Sequence, residues 1–347
     1  MLVLYGRQYP SSHGSTRKYK EGSRSTCVVE LGVSSRLTLF RVTMMVDIRH
    51  PVLLFGEILI DRFPDRDVLG GAPLNVARHL RAFGCAPVLV SRIGQDVEGA
   101  HLLRTMESAG LNTHGVQLDS VYPTGVVEVD LIAEGHRFNI VPNQAYDHIH
   151  PRLARVAALA ANPEMVYFGT LAQRGDSHRA LRHMLRAASG QRFFDVNLRD
   201  PWIYGERLQW SLRHADIVKA NDDELDRIAQ LMNMDESLSE TQAGALIERY
   251  QLRGMLVTCG GAGAWWLERA REKIPIAPDK AVDVVDTVGA GDAFSAVFMF
   301  GLLQKWAMPI TLRRAQQFAS EICGIRGAVP DHDDFYEPFI RQWLTDG

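Results

Sequence analysis

From Pro51 onward, apolar and polar positions fall into two rhythms that replace one another along the chain. "VLLFGEILID" (52–61) is a nearly unbroken apolar run, as expected of a strand covered on both faces. "GGAPLNVARHLRAFG" (70–84) places Leu74, Ala77, Leu80 and Phe83 on one face at helical spacing and stops at Gly84. The same reading predicts a strand over 86–94 and a helix over 97–110. Further strands are predicted over 164–170, 192–198, 216–221 and 254–259, with helices over 177–189, 222–232 and 240–251. Such alternation predicts an α/β fold: a mostly parallel sheet with helices on both faces.

One segment departs from this order. "TGVVEVDLIAEGHRFNIV" (124–141) alternates apolar and polar residues around Glu134-Gly135, which predicts a hairpin with one wet face. It does not suit the buried sheet and reads as a small β flap, with lid segments near 62–69 and 124–141. Val126, Val127, Val129 and Leu131 would give the flap a face for pairing with a second copy of the chain, a homodimer through the lid.

Residues 1–44 show no sustained period and are rich in Ser, Arg and Lys, with Glu21 and Glu30 as acids. They resemble a disordered leader or a transit peptide in composition, or read more simply as chain upstream of the true start, Met44 and Met45 standing just ahead of the first predicted strand. The unit of interest is then 45–347.

Composition narrows the classes. Of 347 residues 46% are hydrophobic and 23% charged, enough to bury a large core, and the net charge of -3 offers no general attraction for nucleic acid or anionic lipid. No apolar run is long enough to span a bilayer. Cys27, Cys85, Cys259 and Cys323 lie far apart with no CxxC pair, which points away from zinc sites and disulfides and towards a cytoplasmic protein.

The candidate chemistry lies in "DTVGAGDAF" (286–294), directly before the apolar helix pattern "AFSAVFMFGLLQKW". Gly289, Ala290, Gly291 and Asp292 then occupy the start of a helix, where free amides and the helix dipole make an anion site. Asp292, and Asp286 one turn earlier, also suit plain helix capping. The glycines lack the spacing of a dinucleotide fingerprint, and no Walker A loop occurs.

"DTVGAGDAF" together with the early "GGAPLNVA" resembles the two signature regions of the PfkB, or ribokinase-like, family of carbohydrate kinases, and the likeness runs from about Val52 to Trp343. "DVNLR" (195–199), "NDDEL" (221–225) and "TCGGAG" (258–263) are similar to the family's internal segments. The resemblance implies a ribokinase-like fold with a β lid, and phosphoryl transfer from ATP with Mg²⁺ to a sugar. By position, Asp292 would be the base, kept ionised by the helix end, with the amides of Gly289, Ala290 and Gly291 as anion hole. Asp61, Gly70, Gly71 and Asn75 would hold the sugar, aided by Arg199 and by Phe138 on the flap. Asn221, Thr258, Gly260, Gly261 and Gly263 would serve the nucleotide, and Glu224 the Mg²⁺, through water. Asp286 and the backbone near Val288 would hold K⁺ if the chain is one of the cation-dependent members. The adenine pocket would lie around Ala319, Ile322 and Cys323.

Each of these residues also has an ordinary structural reading: Asn221 and its acidic followers as a helix start, 258–263 as a hairpin turn. Ala72 and Pro73 stand where ribose-using members carry lysine and glycine, so the early signature is most similar to that of bacterial fructokinases. Leu74, in place of a smaller residue, leaves 2-keto-3-deoxygluconate open, with Arg199 or Arg137 as its counter-charge. A nucleoside kinase, and a sugar-binding regulator without catalysis, remain the other readings.

Overall fold

The computed structural model describes residues 19–21, 24–35, 38–47, 50–132, 135–234, 238–278 and 283–345, by backbone alone over 19–47, 129–138 and 344–345. In chain order the strands and helices begin with β1 (Tyr19–Glu21), β2 (Arg24–Ser35), β3 (Thr38–Asp47), β4 (Pro51–Phe55), β5 (Leu59–Arg62), β6 (Asp67–Gly70), α1 (Ala72–Ala82), β7 (Ala86–Gly94), α2 (Val97–Ser108) and β8 (Val116–Asp119). There follow β9 (Gly125–Ile132), β10 (Gly135–Ile140), α3 (Pro151–Ala161), β11 (Met165–Phe168), α4 (Ser177–Ala187), β12 (Gln191–Asp195), α5 (Gly205–His214), β13 (Ile217–Asn221), α6 (Asp222–Leu231) and α7 (Ser239–Tyr250). The chain closes with β14 (Gly254–Thr258), β15 (Ala264–Glu268), β16 (Ile274–Ile276), α8 (Ala290–Leu303), α9 (Met308–Cys323) and α10 (Glu337–Thr345).

Nine strands form the main sheet in the order β16-β15-β14-β13-β12-β11-β4-β7-β8. All neighbours from β14 to β8 run parallel, and β15 and β16 add an antiparallel edge. Strand alternation divides the core in two. Leu53, Phe55, Phe168 and Phe194 face a cluster that includes α3 to α7; Val52, Leu54, Tyr167 and Phe193 face one that includes α1, α2, α8 and α9. The α/β class with helices on both faces is therefore as the hydrophobic rhythm predicts.

The expected single strand over 52–61 is in fact two. The chain leaves the main sheet after Phe55, crosses at Gly56-Glu57-Ile58, and enters a separate four-stranded sheet ordered β10-β9-β5-β6. This small sheet is the flap. The β9–β10 hairpin is antiparallel, with Phe138 opposite Val129, while Glu134 lies outside the described residues. Val127 is buried in the molecule's own interior instead of lying on an exposed pairing face.

Over part of residues 1–44 the structure differs from the expected irregular leader. β1, β2 and β3 form an antiparallel sheet of their own, and the boundary at 44 falls inside β3. β-Branched residues in "TCVVELGV" and "VTMMV" suit such pairing, but their brief, uneven alternation leaves little periodic signal. No helix among the described residues is long and apolar enough to cross a membrane.

Candidate active site

The crossing at Gly56-Glu57-Ile58, the lid strands and the N-terminus of α8 enclose a cavity of about 560 Å³. Asp61, Gly71, Asn75, Arg199, Asn221, Glu224, Gly289, Gly291 and Asp292 all line it, although they come from widely separated parts of the chain. Val127 and Ile140 close it from the lid.

α8 begins at Ala290 because the residue before it is bent into the left-handed region, Gly289 having φ 80°. A Cβ there would also collide with Ala328, so only glycine fits. Gly289, and not Asp292, is the N-cap, and no side chain caps the helix. Its open end faces the cavity with the helix dipole behind it. The amide of Ala290 is turned towards Thr287 O at 3.3 Å, so Ala290 contributes less to an anion site than its position in the motif implies.

Asp292 lies in the first turn of α8 and accepts a 2.9 Å hydrogen bond at Oδ2 from Asn75 Nδ2. The carboxyl is not held low by the helix end, as position alone implied. Burial dominates and pushes its pKa up to about 7; the Asn75 bond, Lys219 and Arg199 pull against that, and Asp195 adds to it. Asp61 is likewise pushed up to about 6 by burial, with Arg199 opposing.

Glu57, which the sequence reading passed over, is buried in the same cavity with its pKa pushed up to about 7, by burial first and by Asp292 among the smaller causes. The backbone amide of Ala72, the first residue of α1, favours its charged form. Glu57 thus ties the crossing after β4 to the helix that carries Asn75. Asn75 has given its donor to Asp292, and its buried Oδ1 is left without a partner among the described residues.

Other expected residues have structural roles. Gly70 does not line the cavity; a Cβ on it would strike the Asp61 carboxylate, so this glycine makes room for Asp61. Asn221 and Glu224 form a capping box at the start of α6: Asn221 Oδ1 accepts from Glu224 N at 2.7 Å, and Glu224 Oε2 from Asn221 N at 3.0 Å. Glu224 Oε1 also accepts from Leu198 N at 2.8 Å, which ties "NDDEL" to "DVNLR".

Thr258 pairs with Asn221 across β13 and β14, and Gly260 to Gly263 make the tight turn of the β14–β15 hairpin. Gly260 and Gly261 have open space beside them, whereas Gly263 is needed because a Cβ would strike Ile276 O. Asp286 accepts from Val288 N at 3.0 Å and Gly327 N at 3.1 Å, clamping the loop before α8 to the segment after α9. Of the residues expected around the adenine, Ala319 and Ile322 are buried in the packed core, while Cys323 is half-buried and its carbonyl accepts from Val285 N at 2.8 Å. The side chains of Phe138 and Arg137 lie outside the described residues.

A buried pair beneath α8 was also missed. Lys219 Nζ donates to Asp195 Oδ1 at 2.8 Å, and Asp195 Oδ2 accepts from Ser295 Oγ at 2.7 Å and Tyr167 O–H at 3.2 Å. The ammonium lies 3.5 Å from where a Cβ on Gly291 would sit. Burial pulls the Lys219 pKa down, but Asp195 outweighs it and the net shift is upward, which keeps the ammonium charged under the anion loop.

Glu57, Asp61 and Asp292 with Asn75 Oδ1 make the cavity rich in acceptors, suited to a ligand that presents hydroxyl groups. The open end of α8 and Arg199 suit an anionic group beside it. Among the described residues no group of three or more His, Cys, Asp or Glu stands close enough to hold a metal by itself.

Residues 45–334 match the model of the pfkB family carbohydrate kinases. The fructokinase of Salmonella typhimurium is 28% identical over 268 residues, covering 72% of this chain and 84% of that one. Fructokinase from Xylella fastidiosa with bound ATP superposes with a TM-score of 0.71 at 23% identity, over 85% of this chain and 100% of that one. Fructokinase from Vibrio cholerae, bound to fructose, ADP and calcium ion, superposes with a TM-score of 0.67 at 23% identity, over 81% and 95%.

Proposed function

The chain belongs to the pfkB family of carbohydrate kinases, and from that premise we propose that it transfers the γ-phosphate of ATP to a hydroxyl of a neutral ketose, fructose first. The observation that carries this reading is the Asn75–Asp292 pair, set at the open end of α8 in a cavity lined by further carboxyls. Asp292, titrating near neutrality, takes the proton of the attacking hydroxyl. The free amides at the start of α8 receive the transferred phosphoryl group, with Lys219 adding charge from below. The nucleotide extends along Asn221, Thr258 and the turn at Gly260, Gly261 and Gly263.

Mg²⁺ carried on the nucleotide phosphates would neutralise charge on the transferred group. Glu224 fits contact through water better than direct ligation, since each of its oxygens already accepts a backbone amide.

A neutral sugar is favoured over 2-keto-3-deoxygluconate because an acid would face Glu57, Asp61 and Asp292, with Arg199 as its counter-charge within the lining. Relatives named fructokinase support fructose in particular. The test is ADP release with ATP and Mg²⁺ against fructose, ribose, 2-keto-3-deoxygluconate and adenosine. Release with fructose alone is expected. Turnover with another acceptor overturns the substrate, and silence with all of them from a folded protein favours a non-catalytic sugar binder.

A further inference from the structure

A second cavity, of about 670 Å³, shares no lining residue with the candidate active site. It lies at the root of the lid: Val121 and Tyr122, just before β9, form part of its wall, and His148 to Arg152, after β10, form another. Its charge is lopsided. Arg92, Arg152, Arg179, His148, His150 and His183 line it, against the carboxylates of Asp119 and Asp176.

Asp119 is already neutralised. Arg92 Nε lies 2.7 Å from its Oδ2, and its Oδ1 accepts from the amides of Val121 and Tyr122. Asp176 is exposed and meets only His148, at 3.7 Å, among the described residues. No ion pair among the described residues engages Arg152 or Arg179. Two helices begin at the rim, α3 at Pro151, which has no N–H, and α4 at Ser177, whose amide is bonded to Arg174 O at 3.1 Å, and neither has a side-chain cap. His148 Nε2 is buried without a hydrogen-bond partner among the described residues, and the His148 ring stacks on Tyr122 with centroids 3.6 Å apart, giving the cavity a flat wall.

We propose that this cavity is a second anion-binding site, for a multiply charged phosphate ester. Arg152 and Arg179, without an ion pair among the described residues, supply charge-assisted donors, the starts of α3 and α4 add the positive ends of two helix dipoles, and the volume suits a small metabolite. This inference does not rest on the kinase reading, because none of its residues belongs to the other cavity.

Titration calorimetry of the full chain with pyrophosphate, ATP and a hexose bisphosphate tests it, in the wild type and in R152E/R179E. Both arginines are exposed, so the variant is expected to fold and to keep its turnover. The expected result is saturable pyrophosphate binding that weakens about tenfold or more in the variant. Equal isotherms for the two proteins, or no saturable wild-type binding, overturn the proposal. The source of the phosphate follows from the same pair of proteins: a hexose bisphosphate whose affinity falls in R152E/R179E assigns a phosphorylated sugar, and an ATP binding event seen in the wild type in addition to that at the other cavity, and lost in R152E/R179E, assigns a nucleotide.

Discussion

Asn75 Nδ2 donates to Asp292 Oδ2 at 2.9 Å across 217 positions of sequence, joining the helix after the first lid strands to the helix that opens the anion site. The bond does two things. It holds one carboxylate oxygen in place, and it is the largest of the influences that resist the upward push of burial on the Asp292 pKa. Removing it therefore changes both geometry and titration. Asn75→Ala is expected to shift the acid limb of the kcat/KM profile to higher pH as well as to lower kcat, read from the pH dependence of ADP release. A fall in kcat with an unmoved limb would refute the coupling.

Asp292→Asn keeps the shape and the hydrogen bond while losing the base. The variant is expected to melt at or above the wild-type temperature, because a buried carboxyl that costs desolvation has become neutral. Its kcat is expected to fall by about 10²- to 10⁴-fold, the usual contribution of a general base. In the wild type the deprotonated form is the active one, so kcat/KM should rise with pH and level off above about 7. Glu57 titrates beside Asp292, so the limb belongs to the pair.

Glu57 gives a stability test with a defined sign. Its pKa is 4.5 ordinarily and about 7 in the fold, so the folded state binds its proton more tightly than the unfolded chain does. That contribution is complete below the unfolded value and is lost as pH rises through the folded one. Melting temperatures from about pH 5 to about pH 8 should therefore fall more in the wild type than in Glu57→Gln. Parallel curves would show that the carboxyl is not held protonated.

Gly289→Ala combines a left-handed backbone with a Cβ that strikes Ala328. A loss of about 1–3 kcal/mol is expected, read by denaturant unfolding, together with lost turnover as the start of α8 shifts. Gly261→Ala, which has open space around it, is the matched control and should unfold like the wild type.

What could be read in advance, and what could not, follows from how local each signal is. "DTVGAGDAF" was legible as the start of a helix because its glycines stand directly ahead of a nearly continuous apolar helix pattern. The strand and helix order was legible because burial on both faces leaves unbroken apolar runs. Glu57 was hidden inside such a run, since "VLLFGEILID" reads as one strand unless the change of sheet at Gly56 is known. Lys219 was hidden for the same reason, as a single charge in the strand "IVKAN". Gly70 was misassigned because a glycine that makes room for a neighbouring carboxylate looks the same in sequence as one that admits a ligand. The Asp292 pKa was misjudged because the helix end is visible in sequence and the depth of burial is not.

Lys219 and Asp195 separate a structural from an electrostatic contribution to the site. Lys219→Met leaves the Asp195 carboxylate buried without its cation, and an uncompensated buried charge costs about 3–5 kcal/mol. The single variant should therefore unfold at much lower denaturant. Asp195→Asn added to it removes the orphaned charge while keeping acceptors for Ser295 Oγ and Tyr167 O–H, so most of the lost stability should return. Activity should not return with it, because the double variant still lacks the ammonium beneath Gly291. It should bind sugar with an unchanged KM and turn over more slowly, the pattern of a charge that acts on the transferred phosphoryl group. If the refolded double variant recovers full kcat, Lys219 serves only to neutralise Asp195.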